Sequence, residues 1–141
     1  MNPEPIFFSV RSHPRNLKRI RRVITDALSK TDLSKKESTN IILAVDEACS
    51  NIIKHSYKND HNRTIDLTIR QETHRIIISV LDDGIQFDID SIEARKMDEI
   101  KPGGLGIYII QQVMDTVEYS HTPEGFNKIK MVKQIPAPSN H

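Results

Sequence analysis

The chain contains a single cysteine, Cys49, and therefore cannot close an internal disulfide. No apolar run approaches the roughly 18 to 20 residues that a membrane-spanning helix requires. The first ten residues, MNPEPIFFSV, lack the charged start and apolar centre of a secretory signal, so the cytoplasm is the expected location. The six histidines are scattered, and no Cys/His pair has the spacing of a structural zinc site; His55 and His61 are read separately, with no tightly held transition metal expected. Internal repeats, low-complexity tracts and proline-rich linkers are also missing, so residues 1–141 are expected to form one domain.

What is present is globular in character, with 37% hydrophobic and 28% charged residues. The net charge is only +1, yet Arg11, Arg15, Lys18, Arg19, Arg21 and Arg22 crowd one early segment. A solvated helix face and an attraction to an acidic partner both explain such a cluster. No zinc-finger spacing, aromatic RNA-binding signature or overall basic balance accompanies it, and direct nucleic-acid binding is not expected.

The hydrophobic pattern orders the elements. IFFSV (6–10) reads as a strand, and Pro14 is placed to open a helix with Leu17, Ile20, Val23, Ile24 and Leu28 at helical spacing. A second helix is predicted from near Lys35 to near Tyr57, carrying Ile41, Ile42, Val45, Ala48, Cys49, Ile52 and Ile53. Period-two alternation through Ile65, Leu67 and Ile69, and again through Ile76, Ile78 and Val80, predicts a strand hairpin. Residues 88–102 are polar enough to read as a long mobile loop. A glycine-led helix follows over 103–115, with Ile107, Ile110, Val113 and Met114 on one side; two last strands, TVEYS and NKIKMVK, flank a turn at Gly125.

Rossmann and P-loop proteins alternate strand and helix, whereas here the strands come in adjacent pairs that favour antiparallel pairing. The expected class is α+β: a two-layer α/β sandwich whose mixed, mostly antiparallel sheet carries helices on one face.

Three stretches carry chemistry. In DEACSNIIKHSY (46–57), Glu47, Asn51 and His55 are four apart, and each step drifts about 40° around the helix, giving a slanting stripe at the border of the apolar face. A solvated stripe and the wall of a cleft are both consistent with it. In VLDDGIQFD (80–88), Asp82 and Gly84 follow a strand; a simple turn accounts for them, and so does a carboxylate beside a close backbone approach. In PGGLGIYII (102–110), the glycines precede a helix, whose N-terminus suits an anion. Neither GxGxxG nor the Gly-Lys-Ser/Thr of a P-loop is present, and the HRD and DFG elements of eukaryotic-type protein kinases are missing as well.

The order of these stretches, with AVDEACSNIIKHSY, DDGIQFD and GGLGIYIIQQVMDTVEY quoted whole, resembles the GHKL ATPases of the Bergerat, or histidine-kinase-like ATPase, fold. The stand-alone anti-sigma factor serine/threonine kinases of bacteria are the nearest in likeness, over nearly the whole chain. The resemblance implies that Asn51 is the ligand of Mg2+, that Glu47 is the general base, and that Asp82 takes the adenine amino group of ATP with Gly84 giving the ring room. It further implies that Gly103, Gly104, Leu105 and Gly106 meet the phosphates, with 88–102 as the ATP lid. His55 is shared by many members and is divided between a structural and a nucleotide-site role. Tyr57 reads as packing, Cys49 as a small buried apolar residue, and Lys101 as a solvated loop lysine, with approach to a terminal phosphate as the alternative. The implied activity is phosphorylation of a small anti-anti-sigma antagonist protein, alternating with sequestration of a sigma factor, by a homodimer whose first helix, through Arg21 or Arg22, meets partners. A nucleotide-gated binding regulator without kinase activity is the alternative. Two departures stand out: Gln86 replaces a second glycine common in the Asp-x-Gly-x-Gly box, and Pro102 precedes the glycine cluster.

Overall fold

The structure, a computed structural model, describes residues 2–96 and 105–136. Strand β1 (Ile6–Arg11) leads through a single 3₁₀ turn at Pro14–Asn16 into α1 (Leu17–Leu28). Proline suits that start, because the first turn of a helix has no use for its missing N–H. Helix α2 (Lys35–Asn51) begins with a reciprocal cap: the Ser34 hydroxyl accepts from Glu37 N–H at 3.0 Å, and the Glu37 carboxylate accepts from Ser34 N–H at 3.2 Å.

The helix does not run uniformly to Tyr57. After Asn51 it widens into a π-helical turn, Ile52–Ser56, in which Tyr57 N–H reaches back five residues to the Ile52 carbonyl at 2.9 Å. Asn59 N–H then bonds the Ile53 carbonyl, and Lys58 and Asn59 take positive φ (48° and 63°) to turn the chain away.

Strands β2 (Thr64–Gln71) and β3 (Arg75–Asp82) form the expected hairpin, and β4 (Thr116–His121) and β5 (Asn127–Gln134) the second. The strand order is β1-β2-β3-β5-β4, and every pair in the described residues is antiparallel. The sheet is thus not mixed: β3 is joined to its neighbour β5 by way of an edge strand, which restores the antiparallel sense.

One face of the sheet carries Ile65, Leu67, Ile69, Ile76, Ile78, Val80, Ile129 and Met131, all buried against Ile20, Ile24, Leu28, Ile41, Val45 and Ala48 from the helices. The two layers of the sandwich meet here. The opposite face is largely polar, with Asp66, Thr68, Ser79, Lys128 and Lys130 partly exposed. Cys49 is fully buried, as expected of a small apolar residue, and burial with the nearby Asp46 pushes its thiol above the ordinary range.

Residues 88–102 are not simply a loop. An eight-residue helix, α3 (Ile89–Lys96), lies within them, started by Asp88, whose carboxylate accepts from Ser91 N–H at 3.3 Å, and anchored by buried Ile92. Helix α4 (Leu105–Val113) packs on α2, burying Ile110, with Met114 just beyond it also buried.

Candidate functional site

Strand alternation decides where Asp82 points. Ile76, Ile78 and Val80 face the core, and Asp82 is next in the same row, so a carboxylate stands at the end of an apolar row with 2% exposure. Its Oδ1 accepts from Gly84 N–H and from the Asn127 amide, each at 2.9 Å. Burial raises the carboxyl above its usual pKa, and the bonds from Asn127, Gly84 and Ser56 pull the other way.

Gly84 is held against the end of the second helix. A Cβ built on it would lie 2.4 Å from the Ser56 carbonyl oxygen and 2.9 Å from Ser56 Cβ, so only glycine fits there. The next residue fastens the contact, with Ile85 N–H donating to the same Ser56 carbonyl at 3.0 Å. The close approach that Gly84 permits in this structure is therefore that of backbone from the π turn.

Tyr57 completes the junction. Its buried hydroxyl donates to the Thr64 carbonyl, lies 3.0 Å from Asp83 Oδ1 and accepts from Asp83 N–H at 3.1 Å. Arg63 stacks over its ring at 5.1 Å and pairs with Asp83 at 2.9 Å. Tyr57 packs as expected, and it also joins the helix end to the strand end; burial raises its pKa. A polar cavity of about 350 Å3 adjoins this junction, lined in part by Asp82, Asp83, Arg63 and Arg11.

Asn51 is the last residue of α2, immediately before the π turn, and Glu47 lies one turn earlier; both are half-buried. Neither side chain has a hydrogen-bond or ion-pair partner among the described residues. An amide oxygen and a carboxylate with unused lone pairs, one helical turn apart, suit a hard cation and a proton acceptor. Among the described residues no three His, Cys, Asp or Glu side chains converge as a metal cage.

His55 sits within the π turn and is exposed. Gly103, Gly104, Lys101 and Pro102 lie outside the described residues. Leu105 and Gly106 begin α4, which packs on the helix of Glu47 and Asn51. Helix α2 and its π turn thus meet both the Asp82–Gly84 segment and the glycine-led helix.

Gln86, the departure from the usual glycine, donates to the Gly125 carbonyl at 2.9 Å, and Phe87 N–H donates to Asn127 Oδ1 at 3.1 Å. Asn127 was not singled out for a role by its sequence context. Its signal was parity, since it shares the inward row of β5 with Ile129 and Met131 and stands opposite Asp82 in register. In the basic cluster, Arg21 is engaged with Asp46 at 2.7 Å, tying α1 to α2 beside Glu47, while Lys18, Arg19 and Arg22 are exposed.

The pattern of the histidine kinase-like ATPase domain matches residues 10–133. The serine-protein kinase RsbW of Bacillus subtilis is 28% identical over 124 residues, covering 82% of this chain and 78% of that protein. RsbW of Bacillus licheniformis is 32% identical over 108 residues, covering 70% of this chain and 66% of that protein. Among solved structures, a chain of the SiaB-SiaC complex from Pseudomonas aeruginosa superposes with a TM-score of 0.70 at 13% identity, covering 90% of this chain and 88% of its own. The RsbU and RsbW domains of Rv1364c from Mycobacterium tuberculosis give a TM-score of 0.61 at 15% identity, over 96% of this chain and 33% of that one.

Proposed function

We propose that this chain, which belongs to the histidine kinase-like ATPase domain family, is an ATP-dependent kinase that phosphorylates a serine or threonine of a small antagonist protein and otherwise holds a sigma factor inactive. One observation carries the reading: the buried Asp82 and the helix of Glu47 and Asn51 are locked into one unit through Gly84 and Ser56. The names of the Bacillus relatives, serine-protein kinases, favour phosphoryl transfer to a protein hydroxyl over hydrolysis alone.

In this reading Asp82 accepts a hydrogen bond from the adenine amino group, and the backbone around Gly103, Gly104, Leu105 and Gly106 faces the phosphates. The Asn51 amide oxygen holds Mg2+. Bound MgATP supplies the phosphoryl group. Glu47 would orient the attacking hydroxyl and take its proton as the new ester bond forms and the bond from the γ-phosphorus to the β-phosphate oxygen breaks, with ADP as the leaving group. The exposed Lys18, Arg19 and Arg22 of α1 give the partner an electropositive face, and the protein acts as a homodimer.

Radiolabelled ATP mixed with candidate antagonists tests this. Glu47→Ala is expected to lower transfer by at least roughly 100-fold, within the usual worth of a general base, while ATP affinity holds. Partner capture that depends on ATP but never transfers label would instead favour a nucleotide-gated binding protein.

A further inference from the structure

We propose that His13 and His61 form an acid-sensitive latch at the entry of α1, closed while both imidazoles are neutral and opened when they take up protons. Neither residue belongs to the nucleotide site, so the latch stands or falls independently of that reading. The two rings, each partly buried, meet edge to face with centroids 4.6 Å apart. His13 comes from the turn between β1 and α1, and His61 from the loop between the π turn and β2. His13 is also the cap of the 3₁₀ turn: its Nδ1 accepts from Arg15 N–H at 3.0 Å, and its carbonyl accepts from Asn16 N–H at 2.9 Å. An accepting nitrogen carries no proton, so the proton of the neutral ring sits on Nε2, and neither nitrogen has a lone pair left for a metal.

Protonation works against this arrangement twice. The imidazolium donates from both nitrogens and cannot accept, which leaves the Arg15 N–H without its partner at the positive end of the helix. It also sets a cation against the Arg15 guanidinium and the His61 ring; burial, Arg15 and His61 together hold His13 below the ordinary imidazole range. Among the described residues no ion pair involves either ring. On the facing loop the Asp60 carboxylate accepts from Asn62 N–H at 3.0 Å, Arg63 is engaged with Asp83, and Arg11 donates to the Asn62 carbonyl at 2.9 Å. The cap is therefore complete above about pH 6.5 and is lost as pH falls through the lower folded value. Ser12 limits the response. Its buried hydroxyl donates to the Asp60 carbonyl at 2.6 Å and accepts from Arg63 N–H at 3.1 Å, a clamp between strand and loop that contains no group titrating near neutrality. Acid thus loosens the entry of α1, just before the exposed Lys18 and Arg19, and leaves the sheet intact.

Proton NMR of the imidazoles and amide hydrogen exchange, both on the full chain from about pH 4.5 to 8, test the latch. The His13 ring is expected to titrate below about pH 6.5. Protection of the Arg15 amide, corrected for the intrinsic exchange rate at each pH, is expected to fall roughly fivefold with the same midpoint, the usual worth of one hydrogen bond. The Ile24 amide, in the middle of α1, should keep its protection. His61→Gln is expected to raise the His13 midpoint by about half a unit, because one of the charges opposing protonation is gone. His13→Asn, which keeps an acceptor at the cap at every pH, is expected to remove the Arg15 step altogether. Arg15 protection that ignores pH, a His13 midpoint at or above the ordinary value, or a midpoint unmoved by His61→Gln overturns the proposal. So does an equal fall at Ile24 or a step that survives in His13→Asn, since general loosening in acid would give either.

Discussion

Replacing Gly84 by alanine tests the junction on which the site depends. The added Cβ would sit 2.4 Å from the Ser56 oxygen and 2.7 Å from its carbonyl carbon. Comfortable contact needs about 3.5 Å, so backbone on one side must retreat by about 1 Å. No flexible side chain is available to absorb this, because the opposing atoms belong to the π turn. Overpacking of this kind costs about 1–3 kcal/mol. The retreat also breaks the Ile85 to Ser56 hydrogen bond, 3.0 Å long, for about 1 kcal/mol more. The sum, about 2–4 kcal/mol, is a large part of a typical domain's 5–15 kcal/mol and corresponds to a fall in melting temperature of roughly 5–15 °C. Calorimetric titration of the folded variant should also show ATP affinity reduced at least tenfold, since the loop of Asp82 is pushed off the helix of Asn51. Gly125 gives a useful contrast: its φ of +91° makes alanine strained, but the nearest atom to a Cβ is 3.5 Å away, so about 1 kcal/mol is expected and ATP binding should survive. A Gly84→Ala protein that melts within about 1 °C of wild type and binds ATP normally would refute the argument.

Other substitutions probe the same region. Because burial lifts the Asp82 carboxyl above its ordinary value, the unfolded chain loses this proton first as pH rises; the stability contributed by the group is present below about pH 4 and lost as pH climbs through the folded pKa. Asp82→Asn keeps the shape and can still accept from Gly84 and Asn127, so thermal melts from pH 3 to 7 should show it more stable than wild type at neutrality, the gap closing in acid, while ATP affinity falls. A gap that does not change with pH would count against the electrostatic account. Tyr57→Phe leaves the Thr64 carbonyl and the Asp83 N–H without their partner and should cost about 1–3 kcal/mol in urea unfolding; a loss below about 0.5 kcal/mol would show that water replaces the hydroxyl. Asn51→Ala should weaken ATP binding in the presence of Mg2+ far more than in its absence, and equal weakening in both titrations would argue against Asn51 as the metal ligand.

Much of this arrangement was legible beforehand. Alternation over Ile65–Ile69 and Ile76–Val80 and the helical spacing of Ile41, Val45, Ala48 and Ile52 specify which faces meet, because a period of two or 3.6 leaves one apolar side to be covered. The helix in 89–96 was missed because 88–102 is rich in charged residues, which give no periodic apolar signal for a short capped helix. The fully antiparallel sheet was missed in part because neighbours in space, such as β3 and β5, are not neighbours in the chain.

The sequence alone determined the element order, the core-facing rows and the stretches that carry the carboxylates, the amide and the glycines, all of them consequences of local geometry. Tertiary structure decided the rest: that α2 ends in a π turn, that Gly84 is needed for the Ser56 carbonyl, and that Asn127 holds Asp82. The last two join residues 28 and 45 positions apart, a distance over which backbone periodicity says nothing and only packing sets the contact.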